Sequence, residues 1–302
     1  MRSLHVARWA WAVLACPLSL AAAEPPVVVT LLEGSAILTR GVYRHALAEG
    51  VRLQSGDILE VADKGLAEVE FADGAAVALG PGARAYAMAL PRAKAAPADF
   101  YVVQGAVKLS GMKPASALRV VTPHFSLHGG DGTAVLLLRG EDASVFVESG
   151  AVRLSAPGAA SSQGGQQLKS GDFYALKSDQ KGVLAGRPSP AFIGALPKAF
   201  LDPLPSRMAR FKDRQVQAKR LDAASYAEVE TWLKAPPAIR RPMVARFQSR
   251  AADPAFRSAL VANLKSHPEW DPILFPEKYL PKEPEPAAQK GSATAAPPAE
   301  KR

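Results

Sequence analysis

The chain has 302 residues, 48% of them hydrophobic, and a single cysteine, so it can bury one or two domain cores but cannot close a disulfide on itself. Its net charge of +9 is unevenly placed: residues 187–302 hold 20 Lys and Arg against 12 Asp and Glu, while residues 24–186 hold 15 against 16. That excess suits an anionic surface such as lipid headgroups, or simply a solvated helical segment; no nucleic-acid-reading motif accompanies it, so no nucleic-acid partner is expected.

The chain opens with "MRSLHVARWAWAVLACPLSLAAAEPP". Arg2 and Arg8 precede an apolar run from Trp9 to Leu20, and Ala21, Ala22 and Ala23 precede Glu24. This is the pattern of a secretory signal peptide over residues 1–23, cleaved after Ala23. The run is short for a membrane anchor, and no later apolar stretch has spanning length, so the mature chain is expected in the periplasm with no transmembrane helix. Cys16 closes "VLAC", which has the look of a bacterial lipobox and offers lipidation as the alternative. Apolar residues continue past it to Leu20, which favours simple cleavage and leaves the mature chain without cysteine.

Residues 27–185 read as strands. In "AEVEFADGAAVAL", Ala67, Val69 and Phe71 alternate with Glu68 and Glu70, and Asp73-Gly74 marks a tight turn. Similar runs follow with turn residues between them, and no helical period alternates with them. The expectation is a mainly β domain of stacked antiparallel hairpins, sandwich- or solenoid-like.

One unit recurs. "EGSAILT", "QGAVKLS" and "ESGAVRLS" are versions of the same pattern. The first and third are each followed, a little over twenty residues after the glycine, by Ser-Gly-Asp: "LQSGDILEV" and "LKSGDFYAL". The two parts of the β region therefore read as related hairpin units.

Residues 186–206, "GRPSPAFIGALPKAFLDPLPS" with its neighbours, are Pro-rich and read as an extended linker. Helices are expected over 207–280. Ser225 and Glu228 form a capping box, Pro236-Pro237 ends that helix, and Met243 and Phe247 lie one turn apart. Asp253-Pro254 is an N-cap followed by Pro at the first helical position, Phe256, Leu260 and Leu264 line one face, and Pro268 stops that helix. From Pro281 to Arg302 nothing could form a core, and a disordered tail is expected.

The β region resembles a FecR-type periplasmic domain over roughly residues 27–178. "LQSGDILEVADKGLAEVEFADGAAVALGPGARA" is similar to the family's Gly-Asp turn, strand, hairpin and small-residue turn, matching at Gly56, Asp57, Gly65, Ala67, Asp73, Gly74, Leu79 and Pro81. "VVTPHFSLHGGDGTAVLLL" resembles its Thr-Pro segment, at Thr122, Pro123, Gly132 and Thr133. The resemblance implies an all-β domain that binds other proteins outside the cytoplasm. Well-known members relay a signal from an outer-membrane receptor to a sigma factor, through a cytoplasmic segment and one membrane span. This chain shows only the signal-peptide pattern, and has Asp131-Gly132-Thr133 where the family often has Arg-Gly-Thr.

Candidate chemistry is sparse. Asp57 and Asp172 could be acids or metal ligands, but their recurrence with the same neighbours points to turns, Gly56-Asp57 and Gly171-Asp172, where Asp bonds its own backbone. His124, His128 and Asp131 have ligand chemistry for zinc. On a strand, however, the two rings would stand roughly 13 Å apart unless Gly129-Gly130 bends the path. No nucleophile elbow, catalytic triad or phosphate loop is present. Trp232, Phe247 and Phe256 fit a helical core, with Trp270 also available for a partner surface.

The sequence thus leads to a non-enzymatic, exported envelope protein with no cofactor and no metal. Its FecR-like domain is expected to bind, scaffold or signal through another envelope protein. The alternative is a binder of an envelope polymer such as peptidoglycan or an exported polysaccharide. Gly56, Asp57, Asp73, Gly74, Gly132, Thr133, Gly171 and Asp172 are assigned as structural turns.

Overall fold

A computed structural model of the chain describes residues 26–91, 98–113, 118–159, 164–178, 181–202 and 205–280. The expected signal peptide 1–23 with Cys16, and the expected tail 281–302, lie outside the described residues. Two compact units emerge. One runs to Leu221 without Gly41–Tyr43, and the other takes Gly41–Tyr43 and the residues from Asp222 onward.

The first unit is mainly β. In chain order its strands are β1 (Val27–Glu33), β2 (Ala36–Arg40), β3 (Tyr43–Ala46), β4 (Ile58–Val61), β5 (Leu66–Phe71), β6 (Ala76–Leu79) and β7 (Arg84–Ala89). There follow β8 (Ala98–Met112), β9 (Leu118–Val121), β10 (Ser126–Arg139), β11 (Asp142–Ser155), β12 (Gln166–Lys169), β13 (Phe173–Leu176) and β14 (Val183–Ala185). They form one mixed sheet, antiparallel except where β9 runs parallel to β8.

Three long strands fold this sheet into two layers by changing partners along their length. In β8, residues up to Gln104 pair with β7 and β9, and residues from Gly105 pair with β6 and β10. The start of β10 pairs with β9 and the end of β11; its remainder pairs with β8 and the start of β11. The first layer is therefore β3, β2, β4, β7, the start of β8, β9, the start of β10, the end of β11 and β12. The second is β1, β5, β6, the end of β8, the end of β10, the start of β11, β13 and β14. Strands that switch sheets at bends are a standard way to make sandwich corners.

The hinge of β10 is the glycine-rich "HGGDG". The register against β11 shifts between His128 and Asp131 and again between Thr133 and Ala134. Gly132 has φ +98°, and a Cβ there would lie 2.2 Å from the Ser149 carbonyl oxygen. Only glycine fits such a bulge. Gly132-Thr133, expected to form a turn, thus sits in mid-strand.

The core lies between the layers, with Leu38, Leu59, Phe100 and Leu127 from the first facing Val69, Val77, Leu109 and Leu136 from the second. Phe71 meets Phe100 edge-on across it, with ring centroids 6.1 Å apart. The second layer is also covered on its outer side, which is why β1, β5 and β6 read as buried on both faces. The cover is the Pro-rich segment. It is not an extended linker: α1 (Pro190–Ala195) and a 3-10 turn at Lys198–Phe200 press Phe192 and Phe200 onto Leu31, Leu66, Ala78, Ala106, Val135 and Phe173. We call the described residues of this segment, 186–202 with 205–211, the strap.

The second unit is helical, after β15 (Lys219–Ala223) at its boundary. It holds α2 (Tyr226–Leu233), α3 (Pro237–Phe247), α4 (Pro254–Ala262) and α5 (Asp271–Leu274). The Glu228 carboxylate accepts the Ser225 N–H at 2.8 Å, closing the capping box, and Asp253 accepts the Phe256 N–H at 2.9 Å. Trp232, Met243, Phe247, Phe256 and Leu260 form the core; Trp270 joins them rather than a surface. Leu264 falls beyond α4, which ends six residues before Pro268, and is half-buried. Among the described residues no helix is long and apolar enough to cross a membrane.

Candidate functional site

The two Gly-Asp turns share one local geometry. Asp57 accepts the Gln54 N–H and Asp172 accepts the Lys169 N–H, each at 2.8 Å. Gly56 and Gly171 have φ of +95° and +89°. Each turn docks on a neighbouring strand through the same pair of bonds: Gly56 N–H to Ala87 O with Ala87 N–H to Asp57 O, and Gly171 N–H to Val147 O with Val147 N–H to Asp172 O. Their surroundings differ. The docking strand follows the first turn in sequence and precedes the second, so these are not duplicated hairpins but one turn module used with opposite chain order. Asp57 is also buried and holds the Arg40 guanidinium in a two-point pair, at 2.9 and 2.6 Å, whereas Asp172 is half-exposed and has no such partner among the described residues.

Asp73-Gly74 closes the β5–β6 hairpin, with Asp73 Oδ1 accepting the Ala75 N–H at 3.0 Å. Thr122 Oγ1 likewise ties the turn into β10 by accepting the His124 and Phe125 N–H groups. His124 lies in that turn, its Nε2 3.1 Å from the Gly140 oxygen, and does not meet His128. Asp131 is engaged by the Ala151 N–H. Among the described residues no cluster of three His, Cys, Asp or Glu side chains could hold a metal.

The outer face of the first layer carries the most concentrated polar chemistry. Strand register places Asp99, Arg119, His128, Arg153 and Gln167 in a single row across β8, β9, β10, β11 and β12. Directly opposed side chains on one face are neighbours. Arg119 grips Asp99 through Nε at 3.0 Å and Nη2 at 2.5 Å, and its Nη1 reaches the Ala159 oxygen. His128 Nε2 lies 3.0 Å from Ser155 Oγ, and burial first, then the Arg119 charge, holds its pKa below the usual imidazole value. The half-buried Arg153 guanidinium has no hydrogen-bond or ion-pair partner among the described residues. A cavity of about 430 Å³ opens over the end of this row, lined by His128, Gly129, Gly130, Asp131, Arg153 and Gln167. One unpaired guanidinium beside a neutral imidazole and an amide can hold a carboxylate or hydroxyl-rich ligand. A second cavity, of about 250 Å³, is lined by Glu60, Asp63 and Arg84, with Arg84 on Glu60 at 3.2 Å.

Two features escaped the sequence reading. Glu68 and Glu70 do not face water; both are buried under the strap, where Glu70 accepts the Ser206 hydroxyl and, at 2.7 Å, the Arg207 N–H. The strap itself left a trace, since a free linker has no use for Phe192, Phe200 and Phe211, nor for the Ser189-Pro190 helix start.

No protein-family model matches the chain, and no curated protein does. Among solved structures, two crystal structures described as a "putative anti-sigma factor from Parabacteroides distasonis ATCC 8503", at 2.50 and 1.65 Å, are similar to it at 15% identity, with TM-scores of 0.36 and 0.35. Each match covers 43% of this chain and 59% of the other, so it spans under two thirds of those proteins.

Proposed function

We propose that this chain is an exported, non-enzymatic binding module of the cell envelope, a FecR-like β domain that engages another envelope protein. The observation that carries this reading is the open edge of the second layer. There β14 pairs only with β13 among the described residues and leaves Val183 57% and Leu184 46% exposed. Phe192 of α1 packs on Phe173, the partner of Ala185, and the adjoining Ile193 is 48% exposed. An unpaired apolar edge is a template for an added strand, and proteins without a use for such an edge usually blunt it with charge or proline. The test is a pulldown from envelope extracts with the mature chain and with a Val183→Asp, Leu184→Asp variant of unchanged melting temperature. A discrete protein captured by the first and lost by the second supports strand addition. Equal capture by both removes it.

The polar row favours a second reading, binding of an acidic envelope polymer. Sedimentation of the pure protein with isolated peptidoglycan or an acidic polysaccharide, lost in Arg153→Gln, would support it. Retention that ignores Arg153 would sink it.

A further inference from the structure

We propose that the strap is a proton-dependent latch: Glu68, buried beside Glu70 beneath it, favours the strap closed over the apolar face of the second layer in acid and loosens it as pH rises. The geometry is specific. Both glutamates lie on one face of β5, two residues apart, buried in an otherwise apolar field. β1 and β6 place uncharged Leu31 and Ala78 directly beside Glu68. The next position in that row, on β8, is Lys108, whose ammonium is committed to Glu148 at 2.8 Å and to the strap's own Phe200 oxygen at 2.5 Å. From the strap come Ser206 and Arg207, and the hydroxyl of the first and the N–H of the second both donate to Glu70. Among the described residues Glu68 is left with no hydrogen bond of its own.

The energetics follow from that arrangement. Burial, then the Glu70 charge, push the Glu68 pKa up to about 7, and Arg207 offsets only part of this. Lifting the strap wets Glu68 and returns it toward the ordinary carboxylate value of 4.5. A group whose pKa is higher in the closed state favours closure below its open-state value, and that preference is lost as pH climbs through its closed-state value. The window therefore runs from pH 4.5 to about 7. Through it the closed form keeps a proton that the open form gives up. Opening uncovers Leu31, Leu66, Ala78, Ala106, Val135 and Phe173. The latch is independent of the β14 edge and of Arg153.

Hydrogen exchange of the Arg207 and Phe200 amides tests it, after correction for the intrinsic pH dependence of exchange. Between pH 5 and pH 8 the opening constant of the wild type should rise by more than about tenfold. In Glu68→Gln, which stays neutral, it should not change. A wild-type opening constant that is flat across this range overturns the latch, and so does an unchanged pH dependence in Glu68→Gln. Should that variant fail to fold, carbon-13 titration of the wild-type glutamate carboxyls decides the matter. One of them must titrate near 7 together with strap exchange, and none titrating above pH 6 overturns the proposal.

Discussion

The two outer faces of the sandwich share three long strands yet end in opposite states. On the second layer the row Leu31, Glu68, Ala78, Lys108, Val135, Phe146 and Phe173 is mostly apolar and lies under the strap. On the first layer the row Asp99, Arg119, His128, Arg153 and Gln167 is polar and lies outside the strap. β8, β10 and β11 contribute to both rows, because their bends carry one strand from one layer to the other. The lesson is that a face is set by what covers it as much as by strand alternation. On the readings proposed above it also separates roles: the face under the strap stabilises and is gated, and the polar face binds.

Substitutions sharpen that contrast. Phe200→Ala should be the most damaging, since the side chain is 1% exposed and fills the covered face; a loss of about 3–5 kcal/mol is expected in denaturant unfolding. A loss near zero would mean that the strap does not contribute to the fold. On the first layer the large effect should come from the rim and not from the row. Asp57→Asn removes half of a buried ion pair and should cost about 2–4 kcal/mol. Asp172→Asn, in the matching turn, should stay within about 0.5 kcal/mol. Equal effects of the two would show that Arg40 adds nothing to the shared turn. Within the row, Arg119→Gln breaks the Asp99 pair and should cost about 1–2 kcal/mol by a double-mutant cycle with Asp99→Asn. Smallest is Arg153→Gln, which should leave the melting temperature unchanged because no partner is lost. A marked loss of stability there would make Arg153 structural, and would break the division between a stabilising face and a binding face.

Much of this was legible in the chain itself. The Asp73-Gly74 turn and the Ser225–Glu228 box are local, each resting on bonds between residues two or three positions apart, and the strands announce themselves by period-two alternation. The likeness of "LQSGDILEV" and "LKSGDFYAL" correctly announced one turn geometry. It also suggested duplicated hairpins, and there it misled. Turn geometry is encoded within the turn, but the strand on which it docks is chosen by the rest of the sheet. The alternation of "AEVEF" set Glu68 and Glu70 apart from Ala67, Val69 and Phe71 but said nothing of what lies over them. Their cover, Ser206 and Arg207, lies 136 and 137 residues from Glu70, beyond the reach of any periodicity. The polar row was invisible for a similar reason, since its members are single residues on separate strands brought together only by register.

By itself the sequence determined a mainly β chain with a helical C-terminal region, the glycine and aspartate turns, and the helix caps, because these follow from backbone preferences and hydrogen bonds within a few residues. The tertiary structure alone decided that a Pro-rich segment is a cover, that Asp57 is an ion-pair partner while Asp172 is only a turn, and which outer face the strap covers. Those outcomes depend on desolvation and on strand register, and both are properties of the assembled sheet.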